Sequence, residues 1–376
     1  MLNKFLDQVR NWRKSVDSHE AFGNRLRTSI VGMPWSLDQF KYQDGNLEFF
    51  GWALPYKGDI ERIVFKVNDY VVKPTQQGVN REDIGSMYWF WPNSTYSGYQ
   101  CVLEIDYENV FLDGIATVQY IDVATNQPFH RQHNYYFLDN KVNQEVPIPE
   151  PKRRKRVHGG TDENQFLTEG FTSYTKLQDV LQQFFSKNFG DYNHILDWGC
   201  GCGRVMRYLN GLTSTSVTGI DIDADNISWC QENLLFGNFQ SVPLSPPTAL
   251  ASEQFDLIFG ISVFTHLTPQ MEVAWLAELA RIASPGATLL MSVHSEQAIC
   301  RIPHLTQPTY DQWMSDGFMD IGVNTDLDDV VEAEYYRNTY HTHEYINQLW
   351  TRWFDIVGII PGYIGNYHDL VVMQKR

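Results

Sequence analysis

Residues 195–204 read Ile195-Leu-Asp-Trp-Gly-Cys-Gly-Cys-Gly-Arg204, and the fold is decided there. An apolar pair running into Asp197 marks the end of a buried strand. Gly199, Gly201 and Gly203 then allow a tight turn and a close approach of backbone to ligand, because no Cβ stands in the way. The segment Arg204-Val-Met-Arg-Tyr-Leu-Asn210 is expected to open a helix behind the loop. A strand, a glycine loop and a helix in that order receive a nucleotide-like ligand at the strand's carboxyl end.

The glycine spacing narrows the ligand. Dinucleotide sites use G-x-G-x-x-G, whose third glycine lets helix and strand pack closely beside a pyrophosphate. Here the spacing is G-x-G-x-G, with a carboxylate two residues before the first glycine. Working outward, Val217-Thr-Gly-Ile-Asp221 is a second apolar strand ending in an acid, eighteen residues after Gly203. An acid there can accept both hydroxyls of a ribose. Asp223 is placed to cap a helix from Ala224 to roughly Leu235. Phe255-Asp-Leu-Ile-Phe-Gly-Ile-Ser-Val-Phe-Thr-His-Leu267 reads as a further strand and its loop, followed by a Thr268-Pro269 helix start. Ala287-Thr-Leu-Leu-Met-Ser-Val293, Asp355-Ile-Val-Gly-Ile-Ile360 and Asp369-Leu-Val-Val-Met373 supply the remaining strands.

These segments resemble the class I S-adenosylmethionine-dependent methyltransferases over about residues 160–376, the G-x-G-x-G string matching motif I of that family. The resemblance implies an α/β fold, a seven-stranded doubly wound Rossmann-like sheet, and S-adenosylmethionine as cofactor. It places the cofactor against Asp197, Gly199, Cys200, Gly201, Gly203 and Arg204 of the loop. It adds Asp221 and Ile222 after the second strand, and Ile261 and Ser262 after the fourth. Many relatives carry Asp or Asn after the third strand to bind the adenine amine, whereas this chain has Val242-Pro-Leu-Ser-Pro-Pro247. Ser245, or a backbone group near Leu244, is expected to take that part. In this family the segment before the first strand often closes over the cofactor, which makes Gly170, Phe171 and Tyr174 lid candidates. The strings Asp197–Arg204, Pro243–Pro247 and Gly260–His266 look like a bacterial, often cyanobacterial, subgroup found alone or fused to glycosyltransferases.

Residues 20–140 show no helical period but several short apolar or alternating runs, among them Leu47-Glu-Phe-Phe-Gly-Trp-Ala-Leu54 and Ile115-Ala-Thr-Val-Gln-Tyr-Ile-Asp-Val123. Turn signals such as Asp44-Gly45 and Asp113-Gly114 separate them, which predicts an all-β sandwich. Aromatic residues make up 14% of the chain and cluster in this part, either filling the sandwich or offering faces to a sugar. Val146-Pro-Ile-Pro-Glu-Pro151 is expected to be an extended spacer with few contacts crossing it. The basic run Lys152-Arg-Arg-Lys-Arg156 after it is read as a solvated linker resting on the acidic surface of its own chain. The expected organisation is therefore 1–145 sandwich, 146–160 linker and 161–376 methyltransferase domain, with an insertion at 295–342 over the strand ends.

With 376 residues and a net charge of −16, the chain has room for two cores and is a poor match for nucleic acid or an anionic membrane. No apolar run approaches the ~18–20 residues of a membrane span. Residues 1–17 read as a polar amphipathic helix. Five cysteines, an odd number, point to reduced thiols and a cytoplasmic location. No metal site is expected: Cys200 and Cys202 lack further ligands at zinc spacing, and Asp326, Asp328 and Asp329 read as a helix start.

Methyl transfer to a hydroxyl needs alignment of acceptor, methyl and sulfur, and a base for the proton. Histidine suits that base. His266, His294 and His341 are the candidates, all read as lying at strand ends around the pocket, whereas His368 is read as a structural partner of Asp369. The acceptor is expected to be a small molecule or glycan, preferably a sugar hydroxyl. Alternatives are a small aromatic or amine acceptor, or a binding module that keeps the cofactor pocket without catalysis.

Overall fold

The computed structural model describes residues 19–130, 133–139, 146–303, 305–324, 330 and 335–376. The helix expected over residues 1–17 and the acids Asp326, Asp328 and Asp329 lie outside them. Nine strands come first: β1 (Trp35–Gln43), β2 (Asn46–Ala53), β3 (Phe65–Val67), β4 (Tyr70–Val72), β5 (Gln76–Val79), β6 (Gly98–Glu104), β7 (Ile115–Asp122), β8 (Gln127–Pro128) and β9 (Tyr135–Leu138). They form one antiparallel sheet of order β1-β2-β6-β5 and a second of order β4-β3-β7-β8, with β9 also on β7. Alternate residues from both sheets, including Phe49, Phe65, Val118 and Phe137, bury into one cluster. The aromatic residues thus fill the space between two sheets.

Helix α1 (Pro151–His158) and helix α2 (Glu163–Phe185) lead into the second half. There β10 (His194–Trp198), β11 (Ser216–Asp221), β12 (Asn238–Ser241), β13 (Phe255–Gly260), β14 (Ala283–His294), β17 (Phe354–Ile364) and β18 (His368–Lys375) make a seven-stranded sheet of order β12-β11-β10-β13-β14-β18-β17. The strand pairs β10–β11, β10–β13, β11–β12 and β13–β14 are parallel, and β18 runs antiparallel between β14 and β17. Ile195 belongs to the apolar cluster on one face and its neighbour Leu196 to the cluster on the other. Both are fully buried, as a parallel strand covered by helices on both faces requires. Helix α3 (Ala224–Asn233) begins under its cap, with the Asp223 carboxylate accepting from the Asp225 and Asn226 N–H groups. Helix α4 (Pro269–Ile282) begins where the Thr268 hydroxyl accepts from Met271 N–H. Between β14 and β17 stand helix α5 (Gln307–Asp316), the hairpin β15 (Phe318–Val323) with β16 (Arg337–His341), and helix α6 (His343–Leu349).

Three local expectations are corrected. Residues 19–29 are helical, and Phe22, Leu26 and Ile30 are buried at i, i+4 and i+8, a period hidden among polar neighbours. The segment after the glycine loop forms a short 3₁₀ turn, Met206–Leu209, in place of a full helix. Gly203 and Gly211 bracket too few residues to propagate one. The basic run is helix α1, with Pro151 at its first turn and Gly159 at φ 78 closing it. Its charges do rest on the chain's own acids, but as an ordered strap.

The boundary is also thicker than a spacer. Phe22, Leu26, Trp52, Ile84 and Tyr88 share a buried cluster with Ile299, Trp313 and Tyr340 of the insertion. On α2, the Thr172 hydroxyl bonds Tyr136 of β9 at both N–H and C=O. Buried Lys176 donates to Tyr363 O at 2.7 Å and Asn366 Oδ1 at 3.1 Å, and Asn366 donates on to Trp35 O at 3.4 Å. Burial pulls the Lys176 ammonium down to about 7. In the unfolded chain it titrates near 10.4, so between those values the unfolded state holds the extra proton. Stability should therefore rise with pH from 7 towards 9, by up to ~1.4 kcal/mol per pH unit from this group. Urea unfolding of Lys176→Met at the two pH values should show a smaller rise than the parent protein; an identical slope would remove Lys176 from the account.

Candidate functional site

The glycine loop folds back over β11, with the Gly199 and Cys200 N–H groups donating to Ile220 O at 2.8 and 3.1 Å. At Gly201 φ is +53, and a Cβ would stand 2.6 Å from Val157 Cγ2. The Gly201 N–H donates to Asp221 Oδ2 at 2.7 Å, and Asp223 N–H donates to Oδ1 at 2.8 Å. Each carboxylate oxygen takes two hydrogen bonds, so Asp221 keeps one acceptor direction on each for a pair of hydroxyls. Burial pushes its carboxyl up to about 6 against those two N–H donors.

Asp197 is 4% exposed and lines the same cavity, yet among the described residues its carboxylate has no hydrogen-bond partner. Burial, with the Asp221 charge adding to it, raises Asp197 well above the usual carboxylate range. A buried carboxylate left in that state favours an incoming cation. The ammonium of an amino-acid tail has the required charge and donors.

The cavity encloses about 1020 Å³, some of it open to solvent. Asp197, Gly199, Cys200, Gly201, Arg204, Asp221, Ile222, Ile261 and Ser262 line it, and so does His266. Three expected cofactor contacts, Leu244, Ser245 and Gly203, do not line it. Leu244 O instead accepts from Trp275 Nε1 at 3.2 Å and from the Tyr335 hydroxyl at 2.6 Å. It thereby positions Trp275 and Tyr335, which do line the cavity with Val242 and Ile222 and give it an apolar slot for a flat ring. Gly203 serves packing, since a Cβ there would meet Leu234 Cδ1 at 2.4 Å.

The lid residues also differ. Tyr174 stacks on Phe189 with ring centroids 5.2 Å apart, in the core beneath the sheet, because its helix period turns it away from the loop. Phe171 is buried with it, and a Cβ on Gly170 would strike Arg204 O at 2.4 Å. The cover is α1, whose Arg156 and Val157 line the cavity. Arg156 bonds Asp223 and Asp225 at 3.2 and 3.1 Å, and Arg153 bonds Asp225 at 3.0 Å. No local motif announces this cover; the one sequence signal was a basic run facing an acidic chain.

A second cavity of about 1380 Å³ adjoins the first and reaches from Ser36 and Tyr135 of the N-terminal sheets to His294 and His368. Both cavities are bordered by Arg156, Val157, Arg204, Ile261, Ser262, His266 and Tyr336, so they meet at the end of β13. Ser262 there holds φ 65, a left-handed conformation unusual outside glycine. Its N–H donates to Ser292 Oγ at 2.7 Å.

His266 is 7% exposed, with Nδ1 2.6 Å from Arg337 O. A carbonyl only accepts, so Nδ1 carries the proton and Nε2 presents a lone pair. The nearest protein partner of Nε2 is Ser262 Oγ at 3.5 Å, the outer limit of a hydrogen bond. Tyr336 stacks on the ring at 3.8 Å and fixes its plane. Burial brings the imidazole down to about 4, although the Arg337 carbonyl pulls the other way, so the ring is neutral at physiological pH.

His294 lines the second cavity alone, with Nδ1 3.2 Å from Thr339 O and a ring 6.3 Å from that of His266. His368 does too, its ring 4.6 Å from His294. His341 is a correction. It is fully buried behind the site, 3.4 Å from Glu272 and packed against Phe318, Tyr345 and Trp350, and borders neither cavity. It ends a strand whose alternation turns it inward. Among the described residues, no group of three or more His, Cys, Asp or Glu is placed to hold a metal ion.

The sequence family described as "Methyltransferase domain" matches residues 195–286, from β10 into the start of β14. That span carries the loop, both carboxylates and the His266 turn. The chain carries an S-adenosylmethionine-dependent methyltransferase domain. Among the solved structures with local likeness to this chain are three methyltransferases. An N-methyltransferase NodS from Bradyrhizobium japonicum, in complex with S-adenosyl-l-homocysteine, is 16% identical, covering 60% of this chain and 99% of its own at a TM-score of 0.38. An S-adenosylmethionine-dependent methyltransferase from Mesorhizobium loti is 14% identical, with 54% and 100% covered and a TM-score of 0.41. One from Methanosarcina mazei is 20% identical, with 49% and 92% covered and a TM-score of 0.37. S-adenosylmethionine is the methyltransferase's cofactor, and the cavity fits it through the unpartnered Asp197, the two open acceptor directions of Asp221 and the apolar slot. Among the described residues, no helix is long and apolar enough to cross a membrane.

Proposed function

We propose that this methyltransferase O-methylates a sugar hydroxyl, on a glycan or a glycosylated metabolite, inside the second cavity. The observation carrying the reading is that the two cavities meet at His266, with the first suited to a nucleoside and the second lined by polar side chains. S-adenosylmethionine, when bound, supplies an electrophilic methyl on a positively charged sulfur. Asp197 would hold its ammonium, Asp221 its ribose, and the slot between Ile222, Val242 and Trp275 its base. Arg204, bonded to Glu169 at 3.0 Å, has further donors for the tail carboxylate. With the cofactor bound, its methyl would be the electrophile for an acceptor hydroxyl, and His266 Nε2 would take the proton that the hydroxyl gives up. His266 is thus the catalytic base, and His294 a positioning residue on the acceptor side.

In this reading the chain divides into a sandwich accessory part at 1–145, a strap at 146–160, and a catalytic part at 161–376 with its insertion at 295–342. The two N-terminal sheets sharing one core support the sandwich. Their Ser36 and Tyr135 supply one wall of the acceptor chamber, which gives that part a role in the site. Five free cysteines, all buried, agree with a reducing cytoplasm.

The test is methyl transfer from labelled S-adenosylmethionine to a panel of monosaccharide glycosides, phenols and primary amines, read by mass spectrometry. The expected product is a sugar ether with the methyl at one ring position. Methylation confined to phenols or amines would contradict the reading.

A further inference from the structure

The acceptor chamber is bordered by three arginines, and they differ in one respect. Arg156 is ion-paired with Asp223 and Asp225, and Arg204 with Glu169. Arg301 has no carboxylate within ion-pair range among the described residues. Its Nε donates to the Met87 sulfur at 3.4 Å, and its guanidinium lies over the Tyr367 ring at 4.3 Å and towards the Trp52 ring at 5.9 Å. The two aromatic faces and the sulfur fix the plane of the group, and among the described residues its Nη donors have no protein acceptor.

The rest of that end of the chamber does not offset this charge. Glu169 is taken up by Arg204, and His294 and His368 are held neutral by burial, with the Arg301 charge contributing in the same direction. A partly buried cation with open, fixed donors is the arrangement that receives an oxyanion bidentately. Tyr367, under Arg301, is 5.9 Å ring to ring from His294, which is 6.3 Å from His266. The anion end and the reacting end therefore border one chamber and are separated by two ring contacts.

We propose that the acceptor is anionic, and that Arg301 binds its carboxylate or phosphate oxygens while the hydroxyl to be methylated faces His266. This deepens the acceptor reading above and rests on it for the position of the hydroxyl. Arg301 is then a specificity-determining residue. An acidic sugar or a sugar phosphate becomes the preferred class over a neutral sugar.

The experiment uses the full chain loaded with S-adenosylhomocysteine and measures binding by calorimetry. The probes are methyl β-glucuronide, glucose 1-phosphate, inorganic phosphate and, as the neutral control, methyl β-glucoside. At least one anionic probe should bind tenfold or more tighter than the glucoside, and whether it is the carboxylate or the phosphate identifies the oxyanion. Arg301→Gln should weaken that probe by roughly ten- to hundredfold, the worth of a charge-assisted bidentate contact, and leave the glucoside and S-adenosylhomocysteine affinities unchanged. Arg301→Lys should recover part of the binding, more for a phosphate than for a carboxylate. Equal binding of charged and neutral probes, or an Arg301→Gln protein that binds the anions as before, overturns the proposal. A different failure marks the acceptor reading: anions that bind through Arg301 while no sugar, charged or neutral, is methylated.

Discussion

His266→Ala should lower turnover by roughly 10²–10⁴-fold, the usual worth of a general base, while S-adenosylmethionine affinity stays within about threefold. The split follows from position. His266 borders both cavities, but the groups that suit the ribose and the tail are Asp221 and Asp197 on other loops. Its Nδ1–H is committed to Arg337 O and its ring is stacked on Tyr336, so Nε2 is pre-aimed, and loss of the ring removes the base while Asp221 and Asp197 stay in place. His294→Ala is the comparison, and it should raise acceptor KM more than it lowers kcat. The pH profile gives a second reading. Because burial holds His266 down to about 4, the ring remains in its base form as pH falls from 7.5 to 5. With cofactor saturating, kcat should stay level across that window. An acid limb near the ordinary histidine value of about 6.5 would contradict the burial argument, and a near-normal His266→Ala enzyme would move the base elsewhere.

The second large effect concerns the carboxylates. Asp221→Ala should weaken S-adenosylmethionine binding by roughly ten- to hundredfold, as expected for ~1.5–3 kcal/mol of hydrogen bonding to a charged group. Binding should also release protons. In the ligand-free protein Asp197 is raised well above the usual range and Asp221 to about 6, so both hold protons to higher pH than in water. An ammonium beside Asp197 favours its charged form and drives the proton off. Calorimetry at pH 7 in two buffers of different ionisation enthalpy should therefore give different apparent heats, and Asp197→Asn should bring them closer together. The sign for stability follows. Carboxyls raised on folding stabilise the ligand-free protein below their unfolded value near 3.9, and that contribution is lost as pH rises through about 6. Cofactor should accordingly raise Tm more at pH 7.5 than at pH 5. Equal heats in both buffers together with a pH-independent Tm shift would contradict the assignment of these two groups.

The inner strands β10, β11 and β13 were legible because they are buried on both faces and read as apolar runs, whereas the edge strand β12, Asn238–Ser241, is polar and mostly exposed. Asp197, Asp221, the loop glycines and the Asp223 and Thr268 caps are local features, set by neighbours in the chain. What escaped was long-range. Arg156 and Val157 reach the site because α1 docks on Asp223 and Asp225, about seventy positions downstream. Tyr174 sits at a helix position whose direction depends on which face of α2 meets Phe189. His341 looked like the other strand-end histidines until the alternation of β16 turned it towards Glu272. Leu244 and Ser245 follow the third strand as expected, yet the Leu244 carbonyl holds Trp275 and Tyr335 and does not itself reach the cavity. The acceptor chamber draws on Ser36, Arg301 and Tyr367, which no sequence window contains together.

The glycine-loop cavity should hold the cofactor with its reacting sulfur facing the second cavity at His266. A structure with bound S-adenosylhomocysteine tests this most directly. The account predicts ribose hydroxyls on Asp221, the ammonium on Asp197, and the sulfur at the junction, leaving a methyl position about 3–5 Å from where a hydroxyl held by His266 would lie. A ligand seated with its sulfur turned away from that junction, or bound outside this cavity, would contradict it.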